Sequence, residues 1–250
     1  MIDTKTQFFF SISSKTSNRG STFYNRLFKK LKKNSIYIPV NIKTNKSFDE
    51  FLKFLKKKYI KFNGSSISMP FKERILKFVD VKDKSVIKSK NANTIVLRKN
   101  KIKAFNTDFM AASLILKKNN SKNFLLIGSG ALSKSFIASK QNENFFIYNR
   151  SKKNFFKLKK KFKYIKSASH KSFSNCQEIT IINCTPDYSS KLKNFIKKIK
   201  VKRIKSIIDC SLSNNFRYLK EIAIKNRIIY IDGENFYKTQ RNFQKKIYLP

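Results

Sequence analysis

Lys72 is a residue whose setting in the sequence suggests chemistry as well as surface charge. It lies in the stretch SISMPFKE, where SSISM predicts a strand and PFKERILKFV predicts a helix that begins at Pro70. The pattern therefore places Lys72 in the first turn of a helix, directly after a strand. Open α/β sheets bind their ligands at the carboxyl ends of strands, and a lysine there can exchange a proton with a substrate.

A glycine-rich turn forms a second candidate site. The segment FLLIGSGALSKSF reads as an apolar strand, a Gly-x-Gly turn and a helix. The first glycine permits a tight turn, the second lets a pyrophosphate approach the backbone, and the helix N-terminus supplies N–H donors. The pattern predicts a dinucleotide-binding site at Gly128, Ser129, Gly130, Ala131 and Leu132.

The segment after the next predicted strand bears on the choice of cofactor. About twenty residues beyond the first glycine, an NAD site places an acidic residue that binds the ribose 2′-hydroxyl. This chain has Asn149, Arg150, Ser151 and Lys152 there, with no carboxylate. The mixture favours the 2′-phosphate of NADP, although Arg150 could also reflect only the basic character of the whole chain.

The elements around these sites predict an α/β protein with two lobes. Strands alternate with helices, and the apolar strands FLLIG, FFIYN, ITIIN, SIIDC and IIYID predict a parallel, doubly wound Rossmann sheet. We assign an N-terminal α/β substrate lobe to residues 1–107 and the dinucleotide-binding lobe to residues 108–232. We expect the C-terminal helix, residues 233–250, to return to the first lobe.

Composition limits the class of protein. The chain of 250 residues carries 57 Lys and Arg against 14 Asp and Glu, a formal charge of +43, and 40% of it is hydrophobic. Such charge could serve binding to nucleic acid, but the lysines are spread evenly and occur with many Asn, Ile, Phe and Tyr. We therefore attribute the charge to A/T-rich codons and expect no specific nucleic-acid partner.

Several other features favour a cytoplasmic enzyme without a metal. No signal peptide or membrane span is visible, which predicts a cytoplasmic location without membrane contact. Cys176, Cys184 and Cys210 show no spacing typical of zinc ligands or disulfides, so we expect free, buried thiols. His170, the single histidine, has no partner motif and reads as a surface residue. Acid–base chemistry must then come from other residue types.

The motifs in their order along the chain resemble the shikimate dehydrogenase family, including its shikimate-dehydrogenase-like branch. SISMPFK is similar to the family's N-V-T-V-P-F-K, NANT to A-V-N-T, and the Asn-Thr-Asp of residues 106–108 to N-T-D. GSGALS and NRS match the glycine-rich turn and the N-R-T element, and GENFYKTQ is similar to the G-x-x-M-L-V-x-Q ending. These matches extend over nearly the whole chain.

The resemblance implies an NADPH-dependent oxidoreductase that reduces 3-dehydroshikimate to shikimate in aromatic amino-acid biosynthesis. It implies that substrate binds between the lobes, with Lys72 and Asp108 as the acid–base pair. Ser68, Asn93 and Gln240 would bind ring hydroxyls together with Asp108, and Cys210 and Gly233 would lie beside the nicotinamide. A monomer or homodimer is expected.

The chain also departs from the family pattern, near its N-terminus and again after Cys210. The S-x-S that grips the substrate carboxylate aligns with residues 18–20, and the tyrosine expected two residues after Cys210 is Leu212. Asn18, Ser21 or the backbone around Gly20 could still hold a carboxylate. The departures leave open quinate or another cyclic hydroxy-acid as substrate, or an enzyme that has lost activity. A basic nucleic-acid-binding protein on the same fold is the rival of another class.

Overall fold

A computed structural model describes residues 2–169, 171–173, 175–185, 189–212 and 217–250. The chain divides into two compact units. The first unit comprises Met1–Thr107 and Phe243–Pro250, and the second comprises Asp108–Asn242. No helix among these described ranges is long and apolar enough to cross a membrane.

The first unit contains a mixed six-stranded sheet. Its strands are β1 (Gln7–Ser13), β2 (Ser35–Asn41), β3 (Phe62–Ile67), β4 (Val81–Lys82), β5 (Thr94–Arg98) and β6 (Lys101–Phe105). The strand order is β2-β1-β3-β5-β6-β4, and β5 pairs antiparallel with both β3 and β6. Its helices are α1 (Arg19–Lys30), α2 (Asn45–Lys56) and α3 (Lys84–Ser89).

Strand β1 lies inside this sheet and supplies its core. Its side chains alternate between the two faces, so that Phe9 packs in one cluster of buried residues and Phe10 and Ile12 pack in another. α2 covers the second cluster with Phe48 and other apolar side chains spaced at helical intervals. Because β1 is buried, the position of its carboxyl end is fixed. Its last residue, Ser13, and the following loop lie at that end.

The second unit is a doubly wound parallel sheet. Its strands are β7 (Asn123–Ile127), β8 (Asn144–Tyr148), β9 (Lys166–Ser167), β10 (Ile179–Asn183), β11 (Ile204–Asp209) and β12 (Ile229–Ile231). All neighbouring pairs are parallel, and the order β12-β11-β10-β7-β8-β9 is the classical dinucleotide-binding order. The helices are α4 (Thr107–Lys117), α5 (Ala131–Ser139), α6 (Lys152–Lys161), α7 (Ser190–Lys197), α8 (Arg217–Lys225) and α9 (Gly233–Tyr248).

The strand order of the second unit creates a switch point between β7 and β10. Chain connections leave these two neighbours in opposite directions across the sheet, which opens a crevice at their carboxyl ends. Both strands are apolar and buried, as expected of a parallel sheet covered by helices on both faces. The glycine-rich turn follows β7 and therefore lies at this crevice.

The α/β class and the parallel doubly wound sheet are confirmed. One local expectation is wrong. Lys72 lies in a turn, and only a short 3-10 helix, Arg74–Lys77, follows it. α2 is capped by the Thr44 hydroxyl, which accepts a hydrogen bond from the Ser47 N–H. The short elements β4, β9 and α3 were not expected from the sequence.

The C-terminal helix also differs from expectation. We expected residues 233–250 to return as a whole to the first unit, but only the part from Phe243 onward belongs to it. The reason is visible in the packing of Phe236, which is 5% exposed and lies 5.5 Å, centroid to centroid, from Phe136 in the core of the second unit. α9 therefore contributes to both cores.

Candidate functional site

The turn that carries Lys72 is held by packing on one side and a hydrogen bond on the other. After β3, the Phe71 N–H donates to the Ser68 carbonyl at 2.9 Å, which closes the turn. Phe71 is fully buried and stacks on Phe48 with ring centroids 4.3 Å apart. The Lys72 carbonyl accepts from the Ala92 N–H at 2.8 Å. This hydrogen bond fixes the backbone of Lys72. The residue is half-buried, so its ammonium can reach solvent or a ligand.

A buried polar network anchors the segment before α4. The Asn106 amide donates to the Ser89 hydroxyl at 2.7 Å and to the Asn91 side-chain oxygen at 3.0 Å. Its backbone N–H donates to the Ser85 hydroxyl at 2.9 Å. Asn106 is completely buried, and such a satisfied network specifies one conformation. The two motif segments, residues 91–94 and 106–108, are thereby locked together.

Asn93 is oriented by three hydrogen bonds to one oxygen. Its Oδ1 accepts from the Thr107 N–H at 2.8 Å, from the Thr107 hydroxyl at 3.0 Å and from the Thr94 hydroxyl at 3.0 Å. Asn93 is 5% exposed. Within the described part of the chain, all the side-chain hydrogen bonds of Asn93 use Oδ1, so the Nδ2 amide keeps its N–H donors for a ligand.

Sequence reasoning missed a hydrogen-bond relay that supports Asn93. The Tyr24 hydroxyl donates to the Gln244 Oε1 at 3.1 Å, and the Gln244 Nε2 donates to the Thr94 hydroxyl at 2.9 Å. All three side chains are buried. Gln240, the residue expected to bind substrate, is 7% exposed and precedes Gln244 by one helical turn on α9. The spacing of four residues between Gln240 and Gln244 was the signal by which Gln244 could have been found in the sequence.

The start of α1 holds the residues expected at the substrate carboxylate. Asn18 is exposed at the N-cap of α1, where its carbonyl accepts from the Ser21 hydroxyl at 3.1 Å. A Cβ at Gly20 would lie only 3.2 Å from the ring of Tyr37, so a serine in its place would crowd that ring. The Tyr37 hydroxyl is 2.5 Å from the Ser66 hydroxyl. Glycine thus accommodates an aromatic ring at the position where the resemblance expects a hydroxyl.

In the second unit, the glycine-rich turn has the geometry expected for a phosphate cradle. Gly128 has φ of +101°, which favours glycine, and its N–H donates to the Tyr148 carbonyl at 2.9 Å. Gly130 is the exposed N-cap of α5, and a Cβ built there meets no atom within 4 Å. Ser129, Ala131 and Leu132 are half-buried between and after the glycines. The open space above Gly130 fits a pyrophosphate at a helix N-terminus.

The segment after β8 contains two side chains that form the turn and two that are exposed. The Asn149 amide donates to the Ser151 carbonyl at 2.8 Å, and the Ser151 hydroxyl accepts from the Asn154 N–H at 3.2 Å and caps α6. Arg150 and Lys152 are exposed. Asn149 and Ser151 therefore shape the turn, while the two cations can meet an anionic group.

A buried carboxylate fixes the loop after β11. The Asp209 Oδ1 accepts from the Asn183 amide at 2.8 Å and from the Ser211 N–H at 3.0 Å, and its Oδ2 accepts from the Tyr230 hydroxyl at 3.1 Å. Gly233 packs so closely on this loop that a Cβ there would lie 2.1 Å from the Ser211 carbonyl oxygen. The loop carries Cys210, the expected neighbour of the nicotinamide, and Asp209 was missed in the sequence.

The thiol of Cys210 is held in its neutral form. Burial raises the pKa of the Cys210 thiol well above its ordinary value, and a hydrogen bond with Cys184 and the charges of Asp209 and Asp108 raise that pKa further. A protonated thiol is a poor nucleophile, which argues against covalent chemistry at Cys210. The influence of the Asp108 charge also places that carboxylate, in the first turn of α4, near Cys210.

The remaining expectations concern metals and single residues. No group of three His, Cys, Asp or Glu side chains that could hold a metal occurs among the residues that the structure describes. Cys176, Cys184 and Cys210 are free, and each residue as a whole is half-buried, although the Cys210 thiol itself is enclosed. Leu212 is 45% exposed, and His170 lies outside the described residues.

The titration of Asp209 yields a test of this loop. Burial raises the pKa of the Asp209 carboxyl, so the stability that its protonated form contributes is present below about pH 4 and is lost as pH rises through the raised value. Asp209→Asn keeps the Oδ1 contacts and removes the ionisation. From pH 4 to pH 7, the melting temperature of the wild type should therefore fall relative to that of the variant. If scanning fluorimetry gave the same difference in melting temperature between the wild type and the variant at both pH values, the buried ionisation would be contradicted.

Comparisons with known proteins all find similarity to shikimate dehydrogenases or to proteins named as similar to them. The profile of the shikimate dehydrogenase substrate binding domain matches residues 17–95. A shikimate dehydrogenase-like protein of Haemophilus influenzae is 33% identical over 148 residues, 58% of this chain and 53% of that protein, so this match spans about half of the relative. A shikimate dehydrogenase (NADP(+)) of Clostridium botulinum is 29% identical over 217 residues, which are 81% of this chain and 82% of that protein.

A solved structure extends the similarity to the complete fold. The structure of a shikimate 5-dehydrogenase-like protein covers 100% of this chain and 93% of its own, with 27% identity and a TM-score of 0.78. The similarity includes both units, and the sequence motifs occur in the order typical of these proteins. The chain is therefore similar to shikimate dehydrogenases and shikimate dehydrogenase-like proteins in sequence motifs and in fold.

Proposed function

We propose that the protein reduces 3-dehydroshikimate to shikimate with NADPH, a step towards the aromatic amino acids. One observation carries this proposal. The Ala92 N–H binds the Lys72 carbonyl, and the Asn93 Oδ1 binds the Thr107 N–H, with Asp108 the next residue. Three motifs separated in sequence are thus joined by hydrogen bonds at the residues expected to act on substrate.

Lys72 and Asp108 are proposed as the acid–base pair. NADPH, when bound, supplies a hydride to the substrate carbonyl carbon. The oxygen of that carbonyl gains negative charge, and the Lys72 ammonium donates a proton to it. Asp108 is proposed to orient the Lys72 ammonium by accepting a charge-assisted hydrogen bond from it. In the oxidative direction Lys72 takes the proton back.

The substrate's hydroxyls and carboxylate are assigned to different segments. We assign ring hydroxyls to Ser68, Asn93 and Gln240, because Asn93 offers a fixed amide donor and Ser68 is exposed directly after β3. We assign the carboxylate to the start of α1, where Asn18, Ser21 and the N–H groups around Gly20 can donate.

The cofactor is assigned to the second unit. The pyrophosphate fits over Gly130, where no atom would meet an added Cβ within 4 Å. Arg150 and Lys152, exposed after β8, can pair with the 2′-phosphate that distinguishes NADP from NAD. The nicotinamide is assigned to the loop of Cys210 and the closely packed Gly233. The Clostridium botulinum relative, named as an NADP(+) enzyme, supports this choice.

A second substrate is favoured by one observation. Asn18 and Gly20 replace the two hydroxyls expected at the carboxylate, and the Tyr37 ring fills the space beside Gly20. Fewer hydroxyl donors at that end of the ligand would weaken discrimination among cyclic hydroxy-acids. Quinate or a related acid is therefore the alternative substrate, in agreement with the similarity to a shikimate dehydrogenase-like protein.

Steady-state kinetics with four pairs of substrate and cofactor would test the proposal. We expect kcat/KM to be highest for shikimate with NADP, at least about tenfold above shikimate with NAD, because a charged hydrogen bond to the 2′-phosphate contributes 1.5–3 kcal/mol or roughly tenfold and more. Quinate with either cofactor should be slower. Equal or better turnover of quinate with NAD would contradict the proposed function, and the absence of turnover for all four pairs would reject both substrates.

A further inference from the structure

A second binding site is formed by a cavity in the first unit that no part of the proposed reaction uses. The cavity has a volume of about 340 Å³, within the range of small-molecule sites. Ten residues line it: Gln7, Leu31, Lys33, Asn63, Val96, Leu97, Arg98, Tyr248, Leu249 and Pro250. None of these side chains is acidic, and two are cationic.

The cavity lies at the opposite edge of the sheet from the proposed substrate residues. Gln7 begins β1, Asn63 is the second residue of β3, and Arg98 ends the antiparallel β5. Ser68 and Asn93 lie beyond the other ends of β3 and β5. A strand of the length of β1 spans roughly 20 Å, so the two sites do not overlap.

The polar lining is arranged to donate hydrogen bonds. The Gln7 Oε1 accepts from the Asn63 amide at 2.9 Å and from the Ser35 hydroxyl at 3.4 Å. These bonds use the oxygen of the amide, and the Nε2 group is its donor. The Arg98 Nη2 donates to the Ile247 carbonyl at 2.7 Å and holds the guanidinium at the cavity, with further N–H groups to offer. Such donors suit a carboxylate.

Lys33 and Arg98 are the charged side chains that line the cavity. Neither forms an ion pair with a carboxylate within the described part of the chain. The Lys33 N–H donates to the Phe28 carbonyl at 2.9 Å, which fixes its backbone after α1. In a chain with 57 basic and 14 acidic residues, the surrounding field also attracts anions.

The apolar lining defines the rest of the ligand. Val96, 2% exposed, and Tyr248, 5% exposed, pack in one core cluster, and Leu97 and Leu249 also line the cavity. The Tyr248 ring is fixed by Phe9, at 5.0 Å between centroids. A cavity lined by two cationic side chains and by several apolar ones matches a small carboxylate that carries an aromatic or aliphatic body.

We propose that this cavity is a second ligand site, which binds a small carboxylate with an apolar body through Arg98, Lys33 and the Gln7 amide. The contact with Tyr248 and Leu249 places such a ligand against the end of α9, the helix whose Gln244 supports Thr94. The site is independent of the reaction assigned to the protein.

Methyl NMR with three probes tests this proposal on the complete chain. Benzoate carries both features, benzyl alcohol lacks the charge, and inorganic phosphate lacks the apolar body. Benzoate should shift the methyl resonances of Val96, Leu97 and Leu249 saturably, at concentrations about tenfold below those needed for either other probe. Equal effects of all three probes, or shifts confined to other methyl groups, would overturn the proposal.

Two variants and a control identify the cations. Arg98→Gln should weaken benzoate binding about tenfold and leave benzyl alcohol unchanged. Because Arg98 also binds the Ile247 carbonyl, Lys33→Gln provides a second variant that removes a charge without removing a side-chain hydrogen bond. Lys101→Gln, an exposed change on the same hairpin outside the cavity, should have no effect. A loss of affinity in the control equal to that in Lys33→Gln would indicate only general attraction of anions and would reject the site.

Discussion

Lys72→Met should lower kcat for shikimate oxidation by about 10²–10⁴-fold, the contribution of a positioned general acid or base, with little change in stability. Methionine keeps the length of the side chain and removes the exchangeable proton. The backbone contact that holds the turn, from the Ala92 N–H to the carbonyl of residue 72, does not depend on the side chain. The fold of the turn should therefore survive, since Phe71 remains stacked on Phe48.

The matched control for this variant is Lys77→Met. Lys77 is an exposed lysine at the end of the 3-10 helix that follows the turn, so the two variants remove the same charge from neighbouring positions. Lys77→Met should retain wild-type kcat. If Lys72→Met keeps its turnover while its melting temperature is unchanged, the proton must come from another group. If both variants lose activity equally, the effect is one of general charge.

Much of the fold could be predicted because its elements carry local signals. The buried strands β7 and β10 are short apolar runs, and the parallel arrangement follows from their alternation with helices. The β5–β6 hairpin also carries a local signal, two short apolar runs around the turn-like KNK. The glycine-rich turn was visible because positive φ at Gly128 restricts the residue type.

The support of the candidate site could not be predicted, because it depends on contacts between distant residues. Tyr24 and Gln244 are 220 residues apart, and Gln244 and Thr94 are 150 apart, so no local pattern connects them. The turn at Lys72 was predicted as a helix from Pro70 and the apolar spacing after it. The burial of Phe71 against Phe48 competes with helix formation there, and tertiary packing prevails over local propensity.

Gly233 and Gly130 allow the stability of the fold to be separated from binding of the cofactor. A Cβ at Gly233 would lie 2.1 Å from the Ser211 carbonyl oxygen and 2.7 Å from its carbonyl carbon, and both are backbone atoms that cannot rotate away. Gly233→Ala should therefore destabilise the protein by about 3 kcal/mol or more, the upper end of overpacking costs. Chemical denaturation would measure this as a lower midpoint without a change in slope.

Gly130→Ala should have the opposite profile. An added Cβ meets no atom within 4 Å, and Gly130 has φ of −76°, which alanine adopts freely, so the free energy of unfolding should stay within about 0.5 kcal/mol of the wild type. The methyl group would occupy the space assigned to the pyrophosphate, and NADPH affinity in calorimetry should fall by roughly tenfold or more. Unchanged affinity in Gly130→Ala would move the cofactor away from the glycine-rich turn. Unchanged stability in Gly233→Ala would show that the loop after β11 can move, and that its contact with α9 does not fix the position of Cys210.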